Sequence, residues 1–213
     1  MKTTTIAATL LATAALTAHA NIALNGGFET GIGADADHWN ELAIFGGSAA
    51  STAARVAGGH SGDWAIELSV TGAPDYGPVA EIQQQTAVGS VEAGTEFNFS
   101  FWASGTPGPG SVAFYEVLWF DGDASNGGGP QGSATGLQAF SFGDTWSEIS
   151  FTGMVAPTGA DSVLIQIRLV TGAFDGASGH MLVDDVSFAV VPAPAGVLAL
   201  GGLLGAAAAR RRR

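Results

Sequence analysis

The sequence predicts an all-β fold, a sandwich of two antiparallel sheets, on three observations. Residues 21–190 contain no long segment in which apolar residues recur at the 3.6-residue helical period. They contain short runs of period two instead. Between the runs stand glycines with Asp, Asn or Pro, the residues that turns require, and the chain holds 32 glycines. Many short alternating strands joined by such turns build a sandwich or barrel.

The strands follow in order. Residues 39–45 and 53–57 give two short ones, and longer ones lie at 65–70, 79–88, 96–103, 111–120, 146–155, 162–170 and 181–190. Alternation assigns faces, because successive side chains of a strand point to opposite sides. Phe97, Phe99, Phe101 and Ala103 share a core side, with Asn98, Ser100, Trp102 and Ser104 opposite. Val163, Ile165, Ile167 and Leu169 face the core, with Gln166 and Arg168 opposite; Ile149 and Phe151 likewise oppose Glu148 and Ser150. Gln83 and Gln85 share a face with Glu81, and Tyr115 shares parity with Trp119 on what reads as the polar side. Trp146 reads as core, and Trp39 and Trp64 as core or loop packing. In the last strand Leu182, Asp184, Val186, Phe188 and Val190 share a face, so Asp184 points where apolar groups point. A buried carboxylate needs a hydrogen-bonding partner or a metal. The loop Asp121-Gly122-Asp123-Ala124-Ser125-Asn126-Gly127 begins like a calcium loop, but its twelfth position is Gly132 rather than Glu, and it reads as a glycine-rich turn.

Composition narrows the function. The 213 residues carry 7 Lys+Arg against 19 Asp+Glu, a formal charge of −12. Between residues 21 and 209 only Arg55 and Arg168 are basic while all 19 acids lie there, so two cations against nineteen anions leave −17. Such a body does not bind nucleic acid, which needs cations against phosphates. No cysteine is present, which excludes disulfides, zinc-thiolate sites, iron–sulfur clusters and a thiol nucleophile. With 12 Phe and 5 Trp the chain has material for a core.

The ends differ from the body. Residues 1–20 have a basic start at Lys2, an apolar run from Ile6 to Leu16 and a small-x-small site at Ala18-His19-Ala20, the pattern of a secretory signal peptide. Residues 191–213 open with Pro192-Ala193-Pro194, continue from Ala195 to Ala209 without a charged side chain, and close on Arg210, Arg211, Arg212 and Arg213. The apolar stretch of 15 residues reaches 19, just enough to span a bilayer, when counted from Val191. The arginines would stay cytoplasmic and leave the body outside.

This tail resembles the PEP-CTERM sorting signal of bacterial exported proteins, with Ala193 where that family carries Glu. The resemblance implies export, transient membrane anchoring, recognition by an exosortase-type transpeptidase, and a final place on the cell surface or in the extracellular matrix.

The body offers a second resemblance. Asn25-Gly26-Gly27-Phe28-Glu29 near the start, Ser61-Gly62 before an apolar strand, Trp102 in the phenylalanine strand, and Val183-Asp184-Asp185-Val186-Ser187 near the end occur in this order. Residues 21–190 thereby resemble the galactose-binding-like jelly roll of carbohydrate-binding modules of families 4, 9 and 22. The resemblance implies a structural calcium tying the first strand to the last, held by the Glu29 side chain, the Gly27 backbone, Asp184 or Asp185, and a carbonyl near 61–63. The other reading of the acids is that Asp184 accepts hydrogen bonds from backbone amides while Asp185 is solvated. The resemblance also implies polysaccharide or glycan binding on a concave sheet face. The aromatic and planar polar candidates for it are Trp102, Tyr115, Trp119, Gln83, Gln85, Gln166 and Arg168; Arg168 reads equally as a partner in a local salt bridge.

No catalytic set accompanies them. The sequence has no G-x-S-x-G, no H-E-x-x-H and no phosphate-cradling G-x-x-x-x-G-K-[ST], and nothing singles out two of its carboxylates as a glycosidase pair. The reading is a non-enzymatic exported protein that binds carbohydrate. The alternatives are a structural or adhesive matrix protein without sugar binding and, third, a polysaccharide hydrolase.

Overall fold

The computed structural model describes residues 20–192. The expected signal peptide at 1–20, apart from Ala20, and the expected apolar segment, Ala193, Pro194 and the four terminal arginines lie outside the described residues. Among the described residues no helix is long and apolar enough to cross a membrane.

Thirteen strands form the unit Ala20–Val191. A small hairpin pairs β1 (Gly31–Ile32) with β2 (Asp35–Ala36). The remaining strands are β3 (Asn40–Ile44), β4 (Ala50–Ala57), β5 (Trp64–Thr71), β6 (Val79–Gln85), β7 (Glu96–Thr106), β8 (Ser111–Asp121), β9 (Gly129–Ser133), β10 (Gln138–Phe140), β11 (Ser147–Val155), β12 (Ser162–Thr171) and β13 (Ser178–Val190). One sheet has the order β10-β8-β12-β6-β3, with β9 also on β8; the other has the order β11-β7-β13-β5-β4. Every pairing is antiparallel. The predicted two-sheet sandwich is therefore present. The hairpin β1–β2, β9 and β10 were not expected, because runs this short carry no period to read. The strand expected over 79–88 stops at Gln85, where a turn closes with Ser90 N–H donating to the Ala87 carbonyl.

The core lies between the sheets. Phe97, Phe99, Phe101 and Ala103 of β7 and Val163, Ile165, Ile167 and Leu169 of β12 are buried, as their alternation requires. Each such large side chain contributes about 1.5–3 kcal/mol by leaving water.

Three face assignments need correction. In β8 the inward residues are Ala113, Tyr115, Val117 and Trp119; Tyr115 is 6 % and Trp119 4 % exposed, against the phenylalanines of β7 and Phe188. They do not stand on the polar face. Glu116 sits between them, and a half-exposed carboxylate takes the opposite side. In β13 a bulge between Asp184 and Ser187 breaks the alternation. Asp185 there has a φ of 51°, so Val186 and Phe188 turn inward while Leu182 stays half-exposed with Trp102 and Asp184 on the other side. Trp146 is half-buried outside the core and packs on His60.

β5 covers β13 only from Ser178 to Val183. Beyond it the N-terminal segment takes over: Ile22 N–H donates to the Phe188 carbonyl and Val186 N–H to the Gly26 carbonyl. Asn21 adds two side-chain bonds to the same stretch, to the Val186 carbonyl and from the Phe188 amide.

Candidate functional site

The outer face of the six-stranded sheet is built by register. Asn40 of β3 pairs Gln83 of β6, which pairs Gln166 of β12, which pairs Glu116 of β8. The next row is Leu42, Glu81, Arg168 and Phe114. Gln83, Gln85, Gln166 and Arg168 are thus brought to one face, as the sequence implies; Tyr115 and Trp119 are not, and Trp102 belongs to the other sheet. Phe114, Asn40 and Glu116 were missed. For Phe114 the signal was its parity with Glu116; Asn40 sits on an edge strand too short to show one.

The polar groups of this face form a network. Arg168 Nε lies 3.3 Å from Glu81 Oε2 without the alignment of a hydrogen bond, and Arg168 Nη2 donates to Gln166 Oε1 at 2.8 Å. Gln166 Nε2 donates to Glu81 Oε1 at 2.9 Å and to Gln83 Oε1 at 3.2 Å. Burial pushes the Glu81 carboxyl above its ordinary range, against the pull of the Arg168 charge and the Gln166 bond. Gln85 holds the loop over one end of the sheet: its Nε2 donates to the Gly122 carbonyl and Ser162 Oγ, and its Oε1 accepts from Ala124 N–H. Asp123 caps a short 3-10 turn at Ala124–Asn126, and its bonds from the Ser125 hydroxyl and amide and from Asn126 lower its pKa. That loop is a turn, as its sequence implies. Between it and the sheet lies a cleft of about 420 Å³ lined by His38, Asn40, Gln83, Gln85, Asp123, Ala124, Ser125 and Leu164. Gln83 keeps its NH2 group, and Asn40 its whole side-chain amide, free of hydrogen bonds within the described residues.

The residues read as calcium ligands also gather. Asp184 is fully buried, beneath the loop that precedes β5. Its Oδ2 accepts from His60 and Ser61 amides at 2.7 and 3.0 Å, and its Oδ1 from the Asp185 amide at 2.7 Å. Burial raises its pKa to about 6, against those bonds and with the neighbouring Asp185 charge adding to the rise. Asp185 accepts from the Ser61 hydroxyl and pairs with His60 Nδ1, so it is bonded rather than simply solvated. Glu29 Oε1 accepts from Asp63 and Trp64 amides. A Cβ on Gly27 would stand 3.7 Å from Asp185 Oδ1, 3.9 Å from Asp184 Oδ1 and 3.9 Å from Glu29 Cγ. This donor set, all oxygen and placed around a glycine backbone, has the chemistry that suits calcium. Among the described residues no three acidic or histidine side chains converge on one point, and Asp184 Oδ2 is taken by two amides. Backbone carbonyls would have to supply much of a coordination shell.

Trp102 stands beside this cluster on the five-stranded sheet, with the His60 ring stacked on it at 3.9 Å. Arg55 lies over the Trp64 ring at 3.6 Å and donates to the carbonyls of Phe28 and Glu29.

No protein-family profile matches the chain, and no curated protein matches it. Among solved structures it is similar to the enzymatically active domain of tailspike protein 4 of bacteriophage CBA120, at 18 % identity and a TM-score of 0.57, over 80 % of this chain. The chain spans only 21 % of that tailspike chain. It is also similar to TmCBM61 in complex with β-1,4-galactotriose, at 18 % identity and a TM-score of 0.49, over 79 % of this chain and 97 % of that one. A family 11 carbohydrate-binding module from a cellulosomal cellulase of Clostridium thermocellum gives 16 % identity and a TM-score of 0.48, over 83 % of this chain and 97 % of that one. At 18 % identity the likeness to the tailspike domain concerns the fold alone.

Proposed function

We propose that this chain is an exported, non-enzymatic surface or matrix protein whose β-sandwich, of the galactose-binding-like jelly-roll kind, binds carbohydrate on the outer face of its six-stranded sheet. The observation that carries the reading is the cleft over β3 and β6, where the free side-chain amide of Asn40 and the free NH2 group of Gln83 face a space of about 420 Å³. Planar amides with unused donors and acceptors are what a sugar's hydroxyl groups need. Binding should appear as retardation of the full chain in affinity gels containing polysaccharide, weakened by Asn40→Ala combined with Gln83→Ala. A chain that no polysaccharide retards removes the reading.

A second reading, a structural or adhesive matrix protein that binds no sugar, is favoured by the burial of Tyr115 and Trp119. It leaves the cleft without those two aromatic platforms. Turnover of any polysaccharide, abolished by one carboxylate substitution, would replace both readings with a hydrolase.

Two further parts belong to the proposal. A calcium ion held by Glu29, Asp184 or Asp185 and the Gly27 backbone would tie the N-terminal segment to β13. The tail, through Pro192-Ala193-Pro194 and the terminal arginines, would direct exosortase-type processing after export. Deleting residues 210–213 should alter release or anchoring in the producing cell; unchanged surface localisation contradicts the sorting part.

A further inference from the structure

Which way a side-chain amide points is set by its partners, and on the outer face of the six-stranded sheet the partners leave one choice. Arg168 pairs Glu81 across β12 and β6, and Gln166 pairs Gln83 two residues along on the same side. The Arg168 guanidinium has donors and no acceptor, and the ionised Glu81 carboxylate only accepts. Arg168 Nη2 donates to Gln166 Oε1 at 2.8 Å, and Gln166 Nε2 donates to Glu81 Oε1 at 2.9 Å. Reversed, the Gln166 NH2 group would meet guanidinium N–H groups and its oxygen would meet a carboxylate. Arg168 alone already excludes that orientation. The same Gln166 NH2 group donates to Gln83 Oε1 at 3.2 Å. Gln83 must therefore present its oxygen to Gln166, since its NH2 group there would face another NH2 group. The orientations of two amides follow from one ion pair, and Gln83 is left with its NH2 group toward the cleft. Of the other polar side chains there, Gln85 uses both amide atoms on Gly122, Ala124 and Ser162, and Asp123 accepts from Ser125 and Asn126.

We infer that the Arg168–Glu81 pair is a positioning device for the binding face: through Gln166 it holds the Gln83 amide with its NH2 group outward, so that Gln83 acts as a donor only and selects an oxygen that accepts. The inference rests on the carbohydrate-binding reading above and adds the polarity of one contact and the residues that set it. Arg168 needs no contact with the sugar to do this. A ring or bridging oxygen, which accepts and cannot donate, suits Gln83 as well as a hydroxyl does. Asn40, whose amide nothing holds, adapts to either polarity. A held amide also loses less freedom on binding than a free one.

Two measurements on the full chain test this. The first is exchange of side-chain NH2 protons with water, followed by NMR at pH 7. Gln166 should exchange on the order of tenfold more slowly than Gln83, because both of its protons are bonded. In Glu81→Met combined with Arg168→Met, which removes both charges together, the two rates should converge. A Gln83 group as protected as that of Gln166 in the wild type, or rates unchanged in the double variant, overturns the inference. The second uses Gln83→Glu, which keeps the shape and replaces the outward donor by an acceptor. At pH 8, in affinity gels containing a glucan, a galactan or a xylan, this variant should bind on the order of tenfold more weakly than the wild type. Binding as strong as the wild type overturns the inference and leaves carbohydrate binding standing. Retardation of the wild type by none of the polymers overturns the inference together with the reading it rests on.

Discussion

Gly26 is where the N-terminal segment meets the last strand, and Gly26→Ala tests how much that junction contributes. Val186 N–H donates to the Gly26 carbonyl at 2.8 Å. A Cβ built on Gly26 would overlap the Val186 carbonyl oxygen outright and lie 3.0 Å from its carbon. Both partners are backbone, so no side chain can turn away. Overpacking of this kind costs about 1–3 kcal/mol, and losing the Val186 bond adds about 1 kcal/mol. The sum is about 2–4 kcal/mol, before any disturbance of Phe28, which is fully buried two residues on. In urea unfolding, with a slope of about 2 kcal/mol per molar, the midpoint should fall by about 1–2 M at constant slope. Gly129→Ala is the control, since a Cβ there meets nothing within 4 Å, and it should change stability by less than about 0.5 kcal/mol. A Gly26→Ala chain as stable as the Gly129→Ala control would refute the argument that the 21–26 segment completes the edge of β13.

Trp119→Ala should cost about 3–5 kcal/mol in the same assay, because the ring packs against Phe97 and Phe188 in the core; a loss under 1 kcal/mol would return Trp119 to the surface. Burial holds the Glu81 pKa above its ordinary value, so the folded chain binds that proton more tightly than the unfolded one. The corresponding stability is present below the ordinary carboxylate range and is lost as pH rises through the raised value. The stability of wild type minus that of Glu81→Gln should therefore fall from pH 4 to pH 8, and a flat difference contradicts it. Chelating calcium should lower the melting temperature by about 5–10 °C if the ion is present at about a hundred times its dissociation constant; an unchanged melting temperature removes the calcium site.

The strands with strict alternation were legible from sequence. β7 and β12 each carry four consecutive same-side apolar residues, and burial on one face leaves no other register for them. β8 misled because Tyr115 and Trp119 are aromatic residues with a polar edge, which suit a core and a sugar platform equally; the charge on Glu116 decided between the faces. β13 misled for a different reason. Counting parity from Leu182 to Phe188 assumes an unbroken strand, and the positive φ at Asp185 breaks it. Asp184 is buried even so, by the loop of His60 and Ser61 rather than by the core. The grouping of Gly27, Glu29, Asp184 and Asp185 was legible only through family resemblance, because 155 residues separate Glu29 from Asp184 and no local pattern joins them. That Trp102 belongs to the sheet opposite Gln83 and Gln166 is likewise a matter of strand order, which alternation within one strand does not encode.

The central claim is that carbohydrate binds over β3 and β6. Side-chain amide signals of Asn40, Gln83, Gln85 and Gln166 can be followed by NMR during titration with a neutral oligosaccharide, together with the indole N–H signals of Trp102 and Trp146. Saturable shifts of the Asn40 and Gln83 amides, with both indoles unmoved, are the predicted result. Shifts confined to the indoles, or an unchanged spectrum across neutral oligosaccharides, would contradict it.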